Sequence, residues 1–181
     1  MTTFKAITLK GTGDKVAKFT IPQDAAAIAT IRASGTSNFI VSTLAADGSE
    51  QDLLVNTIGS YSGTDLFDVS SGEHSVAFQV QSDGPWTIVV KPVTSAQRWS
   101  GSGTLSGRGD DVVLLTSATS GLSTATITNA GSGNFIVHAY GTSGEALLVN
   151  EIGSYRGQVA LPDGTMLLEI TSDGAWTVHV S

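Results

Sequence analysis

The chain has 181 residues, of which only 14% are charged, and a net charge of −7. Its 21 Gly and 44 Ser plus Thr suit short strands and tight turns, and exclude a protein of exposed helices, which would need Glu, Lys, Gln and Ala on its outer faces. The charge is −3 over residues 1–96 (six basic, nine acidic) and −4 over residues 97–181 (three basic, seven acidic). Neither half therefore offers the basic surface that nucleic-acid phosphates or an anionic membrane require.

Hydrophobic residues make up 40%, enough to build cores. The absence of Cys excludes disulfides, thiolate catalysis and Cys-ligated zinc. No apolar run approaches the roughly 20 residues of a membrane helix, and the start, Met1 to Lys5, has no apolar signal core.

In chain order, Gly11-x-Gly13-Asp14 is the first turn signal. Asp24 to Ala33 is rich in alanine and would suit a helix, but its counterpart Ser123 to Asn129 is β-branched, so both are read as strands. Asn38 to Leu44 puts Phe39 and Val41 on one face and Asn38 and Ser42 on the other. Leu53 to Asn56 is a further strand, ending at Gly59. Val76, Phe78 and Val80 then alternate with Ala77, Gln79 and Gln81, the period of a half-buried strand. Asp83-Gly84 is expected to be a tight hairpin turn that needs glycine for a positive φ, and Pro85 to mark the return strand as an edge. That strand places Trp86, Ile88 and Val90 on one face.

After Lys91-Pro-Val-Thr-Ser-Ala-Gln97 the pattern begins again. Gly107-x-Gly109-Asp110 repeats the first turn, and Asn134-Phe-Ile-Val137 repeats Asn38 to Val41. Leu147 to Tyr155 repeats Leu53 to Tyr61 at eight of nine positions, and Ser172-Asp-Gly-Ala-Trp-Thr177 repeats Ser82 to Thr87. Ordered blocks with small shifts between them are the mark of an internal duplication. The expected architecture is all-β: two tandem antiparallel, jelly-roll-like β-sandwiches, residues 1–94 and 95–181, each with seven or eight strands and its own core. Trp99 has no counterpart and is expected to fill the seam between the halves.

The three histidines do not recur between copies, and no Ser-His-Asp spacing, paired-carboxylate motif or phosphate loop is present, so neither a catalytic nor a metal site is expected and no cofactor is implied. Arg108-Gly109-Asp110 spells an integrin-recognition tripeptide, but its counterpart Thr12-Gly13-Asp14 shows the shared element to be a Gly-x-Gly-Asp turn. Asp14 and Asp110 are read as turn-stabilising rather than calcium-binding. Trp86 and Trp176 are expected in the cores. The binding candidates are Tyr61 and Tyr155, which follow Ile-Gly-Ser in an expected loop where each ring either seals the end of the sandwich or lies exposed as a glycan contact, and Asn56 and Asn150, expected at strand ends and bonded to the following turn.

At these repeated blocks the chain resembles an uncharacterised β-sandwich domain of bacterial secreted or surface proteins, one without an established activity. The resemblance implies placement outside the cytoplasm, although the export signal or lipobox that usually precedes that domain does not precede it here. The expected role is a non-catalytic structural or adhesive module on an extracellular or virion surface, such as a phage decoration or tail accessory. It would act through a protein partner or its own lattice, without nucleic acid and without membrane insertion. The alternative is a secreted or cell-surface carbohydrate-binding module with a glycan ligand.

Overall fold

The computed structural model describes residues 1–180, of which 62% are in strands and 2% in helix. The chain divides into two compact units, Met1–Ser95 and Ala96–Ser181.

The first unit has eight strands: β1 (Ile7–Thr12), β2 (Lys15–Lys18), β3 (Ala27–Ala33), β4 (Asn38–Leu44), β5 (Glu50–Ile58), β6 (Tyr61–Phe67), β7 (Ala77–Gln81) and β8 (Pro85–Pro92). They form two antiparallel sheets, ordered β1-β8-β3-β6 and β2-β7-β4-β5. That is the strand order of an eight-stranded jelly roll. Strand alternation sends every second side chain inward, and the inward set is Ala29, Ile31, Phe39, Val41, Phe78, Val80, Trp86 and Ile88, all buried in one cluster.

The second unit comprises β9 (Gln97–Trp99), β10 (Gly103–Arg108), β11 (Asp111–Leu115), β12 (Ser123–Asn129), β13 (Asn134–Gly141), β14 (Gly144–Ile152), β15 (Tyr155–Leu161), β16 (Thr165–Thr171) and β17 (Ala175–Val180). Its sheets run β10-β17-β12-β15 and β14-β13-β16-β11-β9. The order matches the first unit except for β9, which adds a strand parallel to β11, the one departure from antiparallel pairing among the described residues. Trp99 sits on this extra strand, paired with Leu115, and is buried in the second unit's own core rather than reserved for a seam.

Two local expectations fail for reasons of topology. β8 lies between β1 and β3, so Pro85 does not mark an edge. Proline is tolerated there because it is the first residue of the strand, where its carbonyl still accepts the Ser34 amide at 3.1 Å. Asp83-Gly84 is not a hairpin turn either, because β7 and β8 belong to different sheets. Neither Gly84 nor Gly174 has a positive φ. Glycine is needed for space: a Cβ on Gly84 would overlap the Ser34 carbonyl oxygen, and one on Gly174 would overlap the Gly131 backbone.

Candidate functional site

Four connections at one end of the first unit pass from one sheet to the other, at residues 13–14, 34–37, 59–60 and 82–84. The repeated motifs fall on these crossings. Gly11 lies under Trp86, and a Cβ there would enter the indole ring; Gly107 does the same for Trp176. Gly13 and Gly109 hold φ of 70° and 75°, which glycine adopts without steric cost. Their carbonyls accept the Trp86 and Trp176 indole N–H at 3.0 and 2.9 Å. The Gly-x-Gly and Asp-Gly-x-Trp motifs, some seventy residues apart in each unit, are thus two halves of one contact.

The aspartates complete it. Asp14 accepts the Ser82 amide at 2.9 Å, and Asp110 accepts the Ser172 amide at 2.7 Å. The carboxylate of the Arg108-Gly109-Asp110 tripeptide is therefore engaged within its own unit. Asp83 accepts the Thr36 amide at 3.0 Å, the Thr36 hydroxyl at 2.9 Å and the Ser37 amide at 3.1 Å. Asp173 takes the equivalent bonds, at 2.9 Å each, from the Ser132 amide, the Ser132 hydroxyl and the Gly133 amide. These donors favour the ionised form: the Thr36 amide, then its hydroxyl, hold Asp83 below the ordinary carboxylate range, and the Ser132 hydroxyl leads for Asp173. Gly59 and Gly153 tie in the remaining crossing, donating to the Ser37 and Gly133 carbonyls at 2.8 Å.

The binding candidates separate into two kinds. Tyr61 and Tyr155 are the first residues of β6 and β15, not loop residues. Their rings are half-buried against Phe39 and Phe135, with centroids 6.0 and 5.8 Å apart, and the Tyr61 hydroxyl donates to Asp65 at 3.0 Å. They close the core. Asn56 and Asn150, expected at strand ends, instead lie within β5 and β14 and are exposed. Each stands opposite an isoleucine, Ile40 or Ile136.

Around these asparagines the structure exposes a feature that motif reading missed. Asn38 pairs with Ile58, Ile40 with Asn56 and Ser42 with Leu53; in the second unit Asn134 pairs with Ile152, Ile136 with Asn150 and His138 with Leu147. Partners across a ladder point to one face, and here that face is the outer one. Leu53 and Ile58 are 55% and 76% exposed, Leu147 and Ile152 56% and 79%. The same bulge produces this in both units. Leu54 and Leu148 are the extra residues and tuck against the cores, which turns Leu53 and Leu147 outward. The available signal was the pair of adjacent leucines, which breaks the strand alternation.

His138 pairs with Glu145 at 2.6 Å, and the nearby Tyr140 hydroxyl donates to Glu169 at 2.7 Å. The corresponding first-unit strand carries Ser42 and Leu44, so this cluster does not recur. His179 meets Thr104 at 3.1 Å. Among the described residues no group of three or more His, Cys, Asp or Glu side chains is gathered so as to hold a metal ion, and no helix is long and apolar enough to cross a membrane.

No known protein family matches the chain, and no curated protein matches it. Solved structures resemble it only distantly. A conserved protein of unknown function from Pseudomonas aeruginosa is 11% identical with a TM-score of 0.26, over 97% of this chain and 80% of that one. YhaK from Escherichia coli is 9% identical with a TM-score of 0.27, over 96% and 82%. The regulatory subunit of a cAMP-independent protein kinase A from Trypanosoma brucei is 8% identical with a TM-score of 0.27, over 97% and 74%. Likeness at this level carries no argument about what the chain does.

Proposed function

We propose that the chain is a non-catalytic structural or adhesive module, built by duplication of one jelly-roll-like sandwich and displayed on a virion or cell surface, where it engages a protein partner or its own lattice. The observation that supports this reading is where the residues shared by the two units lie. Gly11, Gly13, Asp14, Asp83, Gly84 and Trp86, with their counterparts, are consumed by bonds that hold the crossings together. Among the shared residues left over are Leu53, Asn56 and Ile58 with Leu147, Asn150 and Ile152, which lie exposed as aliphatic and amide groups. Such a surface can bind but has no nucleophile, acid or base with which to react. Exposed aliphatic surface on one sheet face is the kind of area that contact surfaces use.

The test is location and partner together. Mass spectrometry of purified phage particles and of peptides shaved from intact cells should find the chain in one of them, and its absence from both would overturn the reading. The carbohydrate alternative draws on Asn56 and Asn150, whose amides face solvent. Glycan-array binding that disappears in the Asn56→Ala/Asn150→Ala variant would favour it.

A further inference from the structure

We infer that two sheet faces, one in each unit, bind an acidic polysaccharide, a sugar polymer that carries carboxylate or sulfate groups. They are the outer faces of β1-β8-β3-β6 and β10-β17-β12-β15, and the inference goes beyond the surface-module reading without depending on it. A net charge of −7 conceals where the cations stand. Lys10, Arg32, Arg108 and Arg156 alternate with inward-facing neighbours on β1, β3, β10 and β15, so all four point outward, and all four are exposed. The one carboxylate on the eight strands of these sheets is Asp65, which is buried. Among the described residues none of the four cations is in an ion pair.

Hydroxyl groups surround these cations. Lys10, Thr87, Arg32 and Ser62 stand in one row across the first sheet, and Ser106, Thr177, Thr128 and Arg156 in the matching row of the second. The rows beside them carry Thr8, Thr30 and Thr64 in one unit, Thr104 and Thr126 in the other. Within this array the Thr128 and Thr177 hydroxyls meet at 2.6 Å, and Lys91 donates to the Thr30 hydroxyl at 3.5 Å. A hydroxyl has one proton to give and two lone pairs, so each keeps capacity for a sugar hydroxyl after such a contact. Beside the first row lies a cavity of about 220 Å³, lined by Arg32, Ala33, Ser34, Pro85, Trp86 and Thr87, with room for one acidic group against the guanidinium.

The same features select a sugar polymer over other anions. Protein interfaces are held at their centres by buried aromatic or aliphatic anchors, and none of the exposed large hydrophobic side chains lies on either face. An acidic protein therefore finds nothing there to anchor it, and neither does a second copy of this chain, whose carboxylates alone would not hold an interface. A membrane surface is disfavoured in the same way, since there is no apolar side chain to enter it. Nucleic acid is excluded by charge density. Lys10 and Arg32 are two strands, or about 10 Å, apart, whereas a duplex carries one charge per about 1.7 Å of its axis. Most phosphates would face a chain of net charge −7 without a cation. An acidic polysaccharide spaces its charges among neutral hydroxyls, and so do these faces.

The probes are fluorescein-labelled oligogalacturonate and dextran sulfate, each titrated against the full chain by anisotropy, with neutral dextran, polyglutamate and duplex DNA as controls. At least one acidic polysaccharide is expected to bind and to weaken as salt is raised, and the controls are not. Arg32→Glu/Arg156→Glu should weaken binding at least about tenfold, because like charge then faces like charge. Thermal unfolding should not change, since both side chains are exposed. Arg32→Glu alone should cost more than Arg156→Glu alone, because the cavity lies beside Arg32. Asn56→Ala/Asn150→Ala should leave binding intact. Binding of neither acidic polysaccharide, equal binding of any control, an unaffected double arginine variant, or a dimer in sedimentation that this variant disperses would each overturn the inference. Failure here with the chain found on particles or cells sinks only these faces. Binding by a chain absent from both surfaces sinks only the proposed location.

Discussion

In the first unit the core beyond the tryptophan is filled by three phenylalanines: Phe19 stacks against Phe78 at 4.7 Å, and Phe67 meets their edges at 6.0 and 5.5 Å. The second unit has Leu115, Leu161 and Leu168 at the matching positions, all buried, and Trp99 buried among them from the additional strand β9. Where the first unit has three rings the second has three smaller side chains, and one large ring enters its core from a different strand. Cores tolerate such exchanges when total volume is kept. The crossing end shows the opposite behaviour: the same glycines, aspartates and tryptophan recur there with nearly the same hydrogen-bond lengths. A hydrogen bond needs particular atoms at particular distances, whereas a hydrophobic core needs only shape and volume. Replacement is therefore free in one region and blocked in the other.

This contrast can be broken most directly at the tryptophans. Trp86→Ala and Trp176→Ala should each cost their unit about 3–5 kcal/mol, the usual loss for emptying a large buried aromatic site, read by chemical denaturation. Trp99→Ala should cost a similar amount, but adding Leu115→Phe should restore part of it because that site needs only volume. A double-mutant cycle with no recovery would show that Trp99 does more than fill space.

The next effect is at the crossings. Gly84→Ala and Gly174→Ala place a methyl group against backbone that cannot rotate aside, and should cost about 1–3 kcal/mol, in the range of overpacked sites. Substitutions with no effect would mean the crossings are looser than their hydrogen bonds imply.

Acid sharpens the comparison between units. Asp83 and Asp173 are held ionised by their donors, and Asp47 by the Ser49 hydroxyl and then its amide. A carboxyl whose folded value is depressed stabilises the fold above its unfolded value, about 3.9, and that contribution is lost as pH falls through the lower folded value. Asp111 works in the other sense: burial raises its value, so its cost is relieved on acidification and returns as pH rises through the folded value. Lys15 stands at that position in the first unit. On acidification below about pH 4, the first unit should lose stability before the second, and Asp83→Asn should flatten its acid limb. Trp86→Phe leaves indole emission to the second unit alone, which allows the two transitions to be separated.

The smallest effect belongs to the exposed leucines. Leu53→Ser and Leu147→Ser should change stability by no more than about 0.5 kcal/mol, as expected for exposed positions away from caps and cores. A larger loss would mean these leucines brace the bulge and are not free for contact.

The all-β class and most inward-facing residues were legible in the sequence, because period-two alternation and the repeated blocks carry that information directly. Which strands pair was not. Asp83-Gly84 has the composition of a hairpin turn, and only the distant partners of β7 and β8 make it a crossing. Pro85 misled in the same way, since local chemistry cannot reveal which strands will flank it. Asn56 was expected at the end of a strand that continues to Ile58, and Trp99 was expected at a seam because β9 has no counterpart to compare it with.

The pairing of β1 with β8 and of β10 with β17 also governs how each unit comes into being. Ile7 pairs with Val90 and Lys15 with Val80, while Gly103 pairs with Val180. During synthesis nearly a whole unit must leave the ribosome before β1 or β10 has its partner. Contacts this distant in sequence make folding slow, and they leave apolar strands uncovered meanwhile. The hairpins β4–β5 and β13–β14 join consecutive strands of one sheet, and so can form while the rest of their unit is still emerging. Each sandwich is thus expected to begin at the edge that carries its exposed isoleucine and to close at the tryptophan, with the first unit complete while the second is still being made.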